Sequence, residues 1–152
     1  MEKLFQAFKE KGLTLGSVES MTGGLFSAKF TEIPGVSAVF KGSVVTYSVE
    51  EKVNIVGVAK KTISKYGVVS EKVAKEMAEK GRKLLNVDVC VSVTGNAGPT
   101  VEPGGKPVGC FYVGVSTKEG TSVKCFQKCL KRNEVRNEAV LAMRDLAYLE
   151  II

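Results

Sequence analysis

Apolar positions along this chain switch between a period near 3.6, which buries one face of a helix, and the alternating or continuous runs typical of strands. Leu4, Phe5 and Phe8 stand on a Lys/Glu-rich background that ends at Gly12, which predicts a short amphipathic helix with a glycine stop. The run Leu13 to Val18 predicts a strand. Thr22-Gly23-Gly24 opens a second helix carrying Leu25, Phe26, Ala28 and Phe30, Pro34-Gly35 breaks it, and Ala38 to Tyr47 predicts a second strand. Ser48-Val49-Glu50-Glu51 is a Ser-x-x-Glu capping box, so a short helix starts at Val49, includes Lys52 and closes at Gly57. After a helical piece around Lys60 to Tyr66, Ser70 caps a longer helix in which Val73, Ala74, Met77, Ala78, Leu84 and Leu85 keep the helical period.

Val87, Val89, Val91 and Val93 alternate with Asp88, Cys90, Ser92 and Thr94, which predicts a strand running straight into a glycine-rich loop from Gly95 to Pro107. Val108 to Ser116 is nearly all apolar and reads as a central strand. A Lys118-Glu119-Gly120 connection leads to an antiparallel strand over Thr121 to Cys129, near an edge of the sheet. Asn133 then caps a closing helix with Val135, Ala139, Ala142, Met143, Leu146 and Leu149 facing inward. Strands alternating with helices, then a hairpin and a last helix, predict a single-domain α/β fold: a three-layer α/β/α sandwich with a mixed β-sheet. The loops at Ser20 to Gly24, Tyr47 to Lys52 and Thr94 to Pro107 all follow carboxyl ends of predicted strands, the edge where open α/β sheets bind ligands.

Composition narrows the chemistry. At 152 residues, with 44% hydrophobic and 25% charged residues, the chain has the proportions of one globular domain. No apolar run approaches the roughly 18 residues that cross a bilayer, and Met1 to Phe5 lead into an amphipathic pattern rather than a signal peptide, so a cytoplasmic protein without a membrane partner is expected. There is no histidine, which excludes a Ser-His-Asp triad, a Cys-His pair and any His-ligated metal within one chain. The net charge of +6 comes from lysines scattered among glutamates, a solvated surface rather than the clustered footprint of a nucleic-acid binder. Cys90, Cys110, Cys125 and Cys129 lack zinc-site spacing, and Cys125 and Cys129 on one strand would stand about 13 Å apart, beyond disulfide reach, so reduced thiols are expected.

Acid-base work therefore falls to Lys, Tyr, Asp, Glu or Cys. Ser20-Met21-Thr22-Gly23-Gly24 places a hydroxyl, small residues and a helix start in one turn, where unpaired N–H groups can hold a phosphate or an oxyanion; a plain turn capped by Thr22 is the alternative. With Ser48 as N-cap, Tyr47 and Lys52 occupy the two positions that meet in a staple-type helix start, which predicts a hydroxyl beside an amine. The positive end of the helix dipole and partial burial would both lower the Lys52 pKa and make a neutral lysine base available; a surface lysine covering a tyrosine ring is the alternative. The long loop from Thr94 to Pro107 has the length of a functional loop. Arg132 and Arg136 lie four apart, on one helix face, suited to a phosphate or to partnering glutamates.

These segments together resemble the carboxy-terminal domain family of the competence-damage-inducible protein CinA. Glu19 to Gly24 is similar to the family's Glu-Ser-Cys-Thr-Gly-Gly, Tyr47 to Lys52 to its Tyr-Ser-Asn-Glu-x-Lys, and Gly67 to Ser70 to its Gly-x-Val-Ser. Thr94 to Pro99 resembles Thr-Gly-Ile-Ala-Gly-Pro, and Lys106 to Gly109 resembles Lys-Pro-Val-Gly. Met21, Val49 and Asn96 depart from the usual Cys, Asn and Ile, but Ser20, Tyr47 and Lys52 are kept. The resemblance implies a nicotinamide-nucleotide amidase that hydrolyses the carboxamide of nicotinamide mononucleotide to nicotinate mononucleotide and ammonia. On that reading Ser20 attacks the amide carbon, Lys52 takes its proton, Tyr47 relays or orients it, and N–H groups near Thr22, Gly23 and Gly24 hold the oxyanion. Thr94, Gly95 and Asn96 would line the nucleotide, and Arg132 or Arg136 would pair with its phosphate. The implied partners are a small-molecule nucleotide and a second copy in a homodimer, with no metal or organic cofactor required. A non-catalytic nucleotide-binding module of the same fold is the rival reading.

Overall fold

In the computed structural model, which describes residues 1–152, helices and strands alternate as α1 (Glu2–Lys11), β1 (Leu15–Glu19), α2 (Leu25–Thr31), β2 (Phe40–Val45), α3 (Val49–Glu51), α4 (Lys60–Tyr66), α5 (Glu71–Leu85), β3 (Val89–Gly95), β4 (Cys110–Ser116), β5 (Thr121–Gln127) and α6 (Arg132–Leu149). The five strands form one mixed sheet in the order β2-β1-β3-β4-β5. β1 runs parallel to β2 and β3, while β3, β4 and β5 are successively antiparallel.

Side-chain parity assigns the two helical layers. Val89, Val91 and Val93 point to one face and join Leu4, Phe5 and Phe8 of α1, Phe26 and Phe30 of α2, and Val135, Ala139 and Met143 of α6 in the larger core. Cys90 points to the other face and meets Val73 and Met77 of α5. The three-layer α/β/α sandwich is therefore present as expected.

The alternation along Val87 to Thr94 suggests one buried face, yet β3 is buried on both faces along Val89 to Thr94. Its polar residues are accommodated because α5 and the loop before it present backbone acceptors: Ser92 Oγ donates to the Ala74 carbonyl at 2.7 Å and Thr94 Oγ1 to the Val68 carbonyl at 2.9 Å. Some expected core positions move outward, since Leu84 and Leu149, each in the last turn of its helix, are exposed. β5 ends at Gln127, which leaves Cys129 beyond the strand, and all four cysteines are free thiols.

The closing helix starts two residues earlier than expected, with Lys131 as N-cap and its N–H donated to Glu134 Oε2 at 2.9 Å. Asn133 is therefore not the cap. Its side-chain oxygen accepts from Arg136 Nη1 instead, at 3.0 Å.

The order 2-1-3 places the carboxyl ends of β1 and β3 side by side, with Glu19 opposite Val93. The chain leaves β1 on the α2 side for β2, then returns across the opposite face through α5 to β3. That reversal of winding opens a crevice at the strand ends, the usual ligand position in doubly wound sheets.

Candidate active site

At the end of β1 the backbone turns through Gly23 and Gly24, whose φ angles of 59° and 96° lie in the left-handed region that glycine enters without strain. Two successive left-handed residues bend the start of α2 back over Glu19. The Glu19 side chain, 0% exposed, accepts N–H bonds from Gly24 at 3.1 Å, Phe26 at 3.1 Å and Ser27 at 2.9 Å, and a hydroxyl bond from Thr22 at 2.7 Å. The amino end of α2 is thus filled by the protein's own carboxyl group.

This overturns the expected ligand roles of Thr22, Gly23 and Gly24. The Thr22 hydroxyl and the Gly24 N–H belong to Glu19, and the Gly23 N–H donates to the Ser20 carbonyl at 2.9 Å. The N–H groups of Met21 and Thr22 have no protein acceptor. Thr22 is 0% exposed, whereas Met21 lines the same cavity wall as Ser20, so the Met21 N–H is the open donor beside the Ser20 hydroxyl.

Lys52 reaches Ser20 from the other side of the crevice. The Ser48 hydroxyl accepts from the Glu51 N–H at 3.1 Å, so the capping box starts α3 as the sequence predicts. The chain then widens into one π turn over Lys52–Val56, closed by Gly57 at φ 85°. Glu76 and Lys80 of α5 brace the far side of this turn: Lys80 Nζ donates to the Gly57 carbonyl, and Glu76 accepts from the Ala59 N–H at 2.9 Å and from the Thr62 hydroxyl. π turns recur at functional sites because they redirect one side chain inside an otherwise regular helix.

The redirected side chain is Lys52, 1% exposed, whose Nζ donates to Ser20 Oγ at 2.9 Å, the Thr46 carbonyl at 2.8 Å and the Tyr47 carbonyl at 3.4 Å. All of these acceptors are uncharged. Burial without a counter-charge lowers the Lys52 pKa from the ordinary 10.5 to about 8. Desolvation is the cause of that shift, and the helix dipole invoked from the sequence is not needed for it.

Tyr47 sits elsewhere than expected. Its ring is 60% exposed, and its hydroxyl accepts from Arg132 Nη2 at 3.0 Å instead of adjoining the Lys52 amine. Lys52 turns into the interior while Tyr47 stays at the mouth, so only the Tyr47 carbonyl touches the amine. Arg132 also donates to the Gly98 carbonyl and so ties the long loop to Tyr47 across the opening.

Arg136, one turn further along α6, is committed to the turn after Ser20. Its Nε donates to the Met21 carbonyl at 3.1 Å and its Nη2 to the Thr22 carbonyl at 2.8 Å. Each of its three guanidinium nitrogens is bonded to a protein oxygen, Nη1 to Asn133 Oδ1 at 3.0 Å, which leaves none for a phosphate and corrects that role for Arg136.

Asn96 lines the opening as expected, but its polar atoms are engaged within its own loop. Its Nδ2 donates to the carbonyls of Thr100 at 3.0 Å and Lys106 at 3.2 Å, and its Oδ1 accepts from the Gly98 N–H at 2.9 Å. The side chain fastens its own loop. Thr94 uses its hydroxyl on the Val68 carbonyl. Gly95 packs between Met21 and Phe111, where an added Cβ would collide with both.

Ser20, Tyr47, Lys52, Thr94, Gly95, Asn96 and Arg132 nevertheless line one cavity of about 200 Å³, together with Val49, Val68 and Val69. Thr22, Gly23, Gly24 and Arg136 lie outside its lining. A second cavity of about 340 Å³ adjoins it, sharing Val68, Val69, Gly95 and Asn96 and adding Tyr66, Glu102 and Lys106. Sequence reasoning gave Glu19, Val68 and Val69 no individual role, although each lies within a quoted motif. The partners that define their roles are remote in sequence or are backbone atoms. No group of three or more Cys, Asp or Glu side chains is placed to hold a metal ion, and no helix is long and apolar enough to cross a membrane.

The family model described as the CinA C-terminal domain matches residues 1–149. A putative competence-damage inducible protein of Thermoanaerobacter pseudethanolicus is 46% identical over 145 residues, which cover 95% of this chain and 35% of that protein. A CinA-like protein of Kosmotoga olearia is 42% identical over 144 residues, covering 95% and 35% respectively. The chain thus spans about a third of the length of these curated relatives. Among solved structures, the competence/damage inducible protein CihA of Agrobacterium tumefaciens superposes with a TM-score of 0.91 at 31% identity, covering 95% of this chain and 89% of that one. A competence or damage-inducible protein of Enterobacter asburiae shares the fold with a TM-score of 0.96 at 24% identity, covering 99% and 95%.

Proposed function

The chain belongs to the CinA C-terminal domain family, and from that premise we propose that it is an amidohydrolase that converts nicotinamide mononucleotide to nicotinate mononucleotide and ammonia. The observation that carries this reading is the 2.9 Å contact between Ser20 Oγ and Lys52 Nζ in a cavity wall. A serine bonded to a buried lysine of lowered pKa is a nucleophile with its base in place.

Lys52 as a neutral amine has two N–H bonds and one lone pair. The carbonyls of Thr46 and Tyr47 can take the N–H bonds, which leaves the lone pair for the Ser20 hydroxyl proton. Ser20 Oγ bonds to the amide carbon as its proton passes to Lys52. The carbonyl oxygen becomes negative and meets the Met21 N–H, which has no protein acceptor. Lys52 then returns the proton to the departing nitrogen, ammonia leaves, and water attacks the acyl-serine with Lys52 again as base. No step calls on a metal or an organic cofactor.

The larger adjoining cavity offers room for the rest of the nucleotide. Of the two arginines, Arg132 is the one that lines the catalytic cavity, and it is the candidate for the phosphate. Incubation with nicotinamide mononucleotide tests the reading: ammonia release that disappears in Ser20→Ala is the expected result. Ligand-dependent stabilisation without ammonia would instead favour a binding module of the same fold.

A further inference from the structure

We propose that Glu76 is a positioning residue: together with Lys80 it anchors the π turn that carries Lys52, and so holds the Lys52 amine against Ser20 and away from water. The inference rests on the reading of Lys52 as the base.

A side chain on a single π turn is held only as firmly as the turn itself. The Lys52 N–H donates to the Ser48 carbonyl at 3.2 Å, and the Lys52 carbonyl accepts the N–H groups of Gly57 and of Val58, the latter at 2.9 Å. Both donors belong to the short link Gly57-Val58-Ala59 that leads into α4. Residues of α5 grip each end of that link: Lys80 Nζ donates to the Gly57 carbonyl, and Glu76 Oε2 accepts the Ala59 N–H at 2.9 Å. Between the two grips Val58, 1% exposed, packs in the cluster that includes Val73 and Met77 of α5.

Glu76 joins these contacts. Its carboxylate also accepts from the Thr62 hydroxyl of α4 and from Lys80 Nζ at 2.9 Å. Burial works against its charged form, but the Thr62 hydroxyl, the Ala59 N–H and Lys80 hold the carboxyl below the ordinary carboxylate range, so it stays ionised wherever Lys52 titrates. Glu76 and Lys80 line neither cavity, and they reach Lys52 only through the backbone of the link. Burial alone lowers the Lys52 pKa, and no charged side chain of β1, β2, α3 or α5 contributes to it. Releasing the link therefore alters both properties that make Lys52 a base, its aim at Ser20 and its isolation from water.

The test compares native protein with Glu76→Ala, Lys80→Met, Lys80→Arg and Thr62→Val in two assays, each followed from about pH 5 to 10. One is hydrolysis of nicotinamide mononucleotide. The other is phosphonylation of Ser20 by an alkyl fluorophosphonate, in which the Oγ–P bond forms, fluoride leaves with the P–F electron pair and Lys52 takes the serine proton. The second assay reads the Ser20 and Lys52 pair whatever the natural substrate is. Asp88→Ala is the control for lost stability alone, because Asp88 accepts the Thr14 N–H at 2.8 Å and the Thr14 hydroxyl at 2.7 Å at the opposite edge of the sheet.

Glu76→Ala is expected to lower the plateau kcat and Ser20 labelling by about tenfold or more, within the cost of misplacing a reacting group. The midpoint of its pH profile should rise from about 8 by about one unit as water reaches the amine. Removing a negative charge can by itself only lower the pKa of a lysine, so an upward shift reports hydration. KM should stay within about threefold. Lys80→Met and Thr62→Val should act in the same direction more weakly, while Lys80→Arg keeps a donor for the Gly57 carbonyl and should recover most of the rate. Asp88→Ala should lower Tm and leave kcat and the midpoint unchanged. A midpoint that stays near 8 in Glu76→Ala, or a loss confined to KM, overturns the inference and leaves the readings of Ser20 and Lys52 intact. Should Glu76→Ala fail to fold, native rates and midpoints in both Lys80→Met and Thr62→Val overturn it. If Ser20 of the native protein is not labelled, or its labelling is flat from about pH 5 to 10, the base reading fails, and the role of Glu76 with it.

Discussion

Two buried ionisable side chains lie at the same edge of the sheet, and their surroundings differ in kind. Glu19 ends β1 and is ringed by donors: backbone N–H groups of α2, the Thr22 hydroxyl and, more distantly, the Ser43 hydroxyl at 3.4 Å. Lys52 meets neutral acceptors, has no carboxylate beside it, and opens on a cavity. The first arrangement satisfies a charge and so stabilises a turn. The second leaves a charge uncompensated, disfavouring the ammonium form and making the amine available as a base. Burial alone therefore does not identify a reactive group; the tally of its partners does.

The contrast is sharpest in turnover. Ser20→Ala removes the partner of Lys52 and is expected to cut amidase activity by at least about a thousandfold while leaving nucleotide binding nearly intact. Lys52→Arg should fail as well, because a guanidinium stays protonated. Near-normal ammonia release from either variant would break the assignment.

Glu19→Ala acts on the other side of the comparison. It leaves several donors at the start of α2 without acceptors, at about 1 kcal/mol or more each, or about 3 kcal/mol in all. Tm should fall by roughly 10 °C. A Tm within about 2 °C of native would show that water replaces the carboxyl group without cost.

Lys52→Met should move stability in the opposite direction. The native fold carries the penalty of a buried ammonium in full below pH 8, and sheds it as pH rises from about 8 toward 10.5, where the unfolded chain binds the extra proton. A shift from 10.5 to about 8 corresponds to roughly 3 kcal/mol, reduced by the hydrogen bonds that methionine cannot make. The inactive variant should thus be more stable than native by about 2 kcal/mol at pH 6 in urea denaturation, with the gain shrinking by pH 10. A variant less stable than native at pH 6 would contradict the account of Lys52.

A smaller effect is the pH dependence of the rate. Only the neutral amine serves, so activity should climb along a single limb with its midpoint near 8. The gain from pH 7 to the plateau should be about tenfold. A flat profile from about pH 5 to 10 would exclude Lys52 as the base. The smallest expected effect is that of Asn96→Ala, which loosens the loop fastening and should raise KM a few-fold with little change in kcat.

Local pattern sufficed for much of this protein. The glycine stop after α1, the Ser48 and Ser70 caps, the hairpin of β4 and β5 and the sandwich architecture all follow from residues close together in the chain, because caps, turns and periodicity are short-range physics. The absence of histidine likewise confines acid-base work to Lys, Tyr, Asp, Glu or Cys from the sequence alone. The strand-end loops are recognisable for the same reason, and with them Ser20, Tyr47, Lys52, Thr94, Gly95 and Asn96 of the cavity wall.

Which of those residues are free to act was decided by contacts across the fold. Arg132 and Arg136 are indistinguishable by spacing, yet one lines the cavity and the other grips carbonyls more than a hundred residues away in sequence. The glycine turn suggests an anion site until Glu19 is seen to fill it, and Tyr47 suggests a relay until its hydroxyl is seen at Arg132. The side-chain pattern lists the donors and acceptors a chain possesses. Their pairing depends on which strand ends the sheet order brings together and on which groups burial then forces to find partners. For this protein, chain-local signals determined the elements and the inventory of the site, while the tertiary structure alone determined that Lys52 and Ser20 remain available to each other.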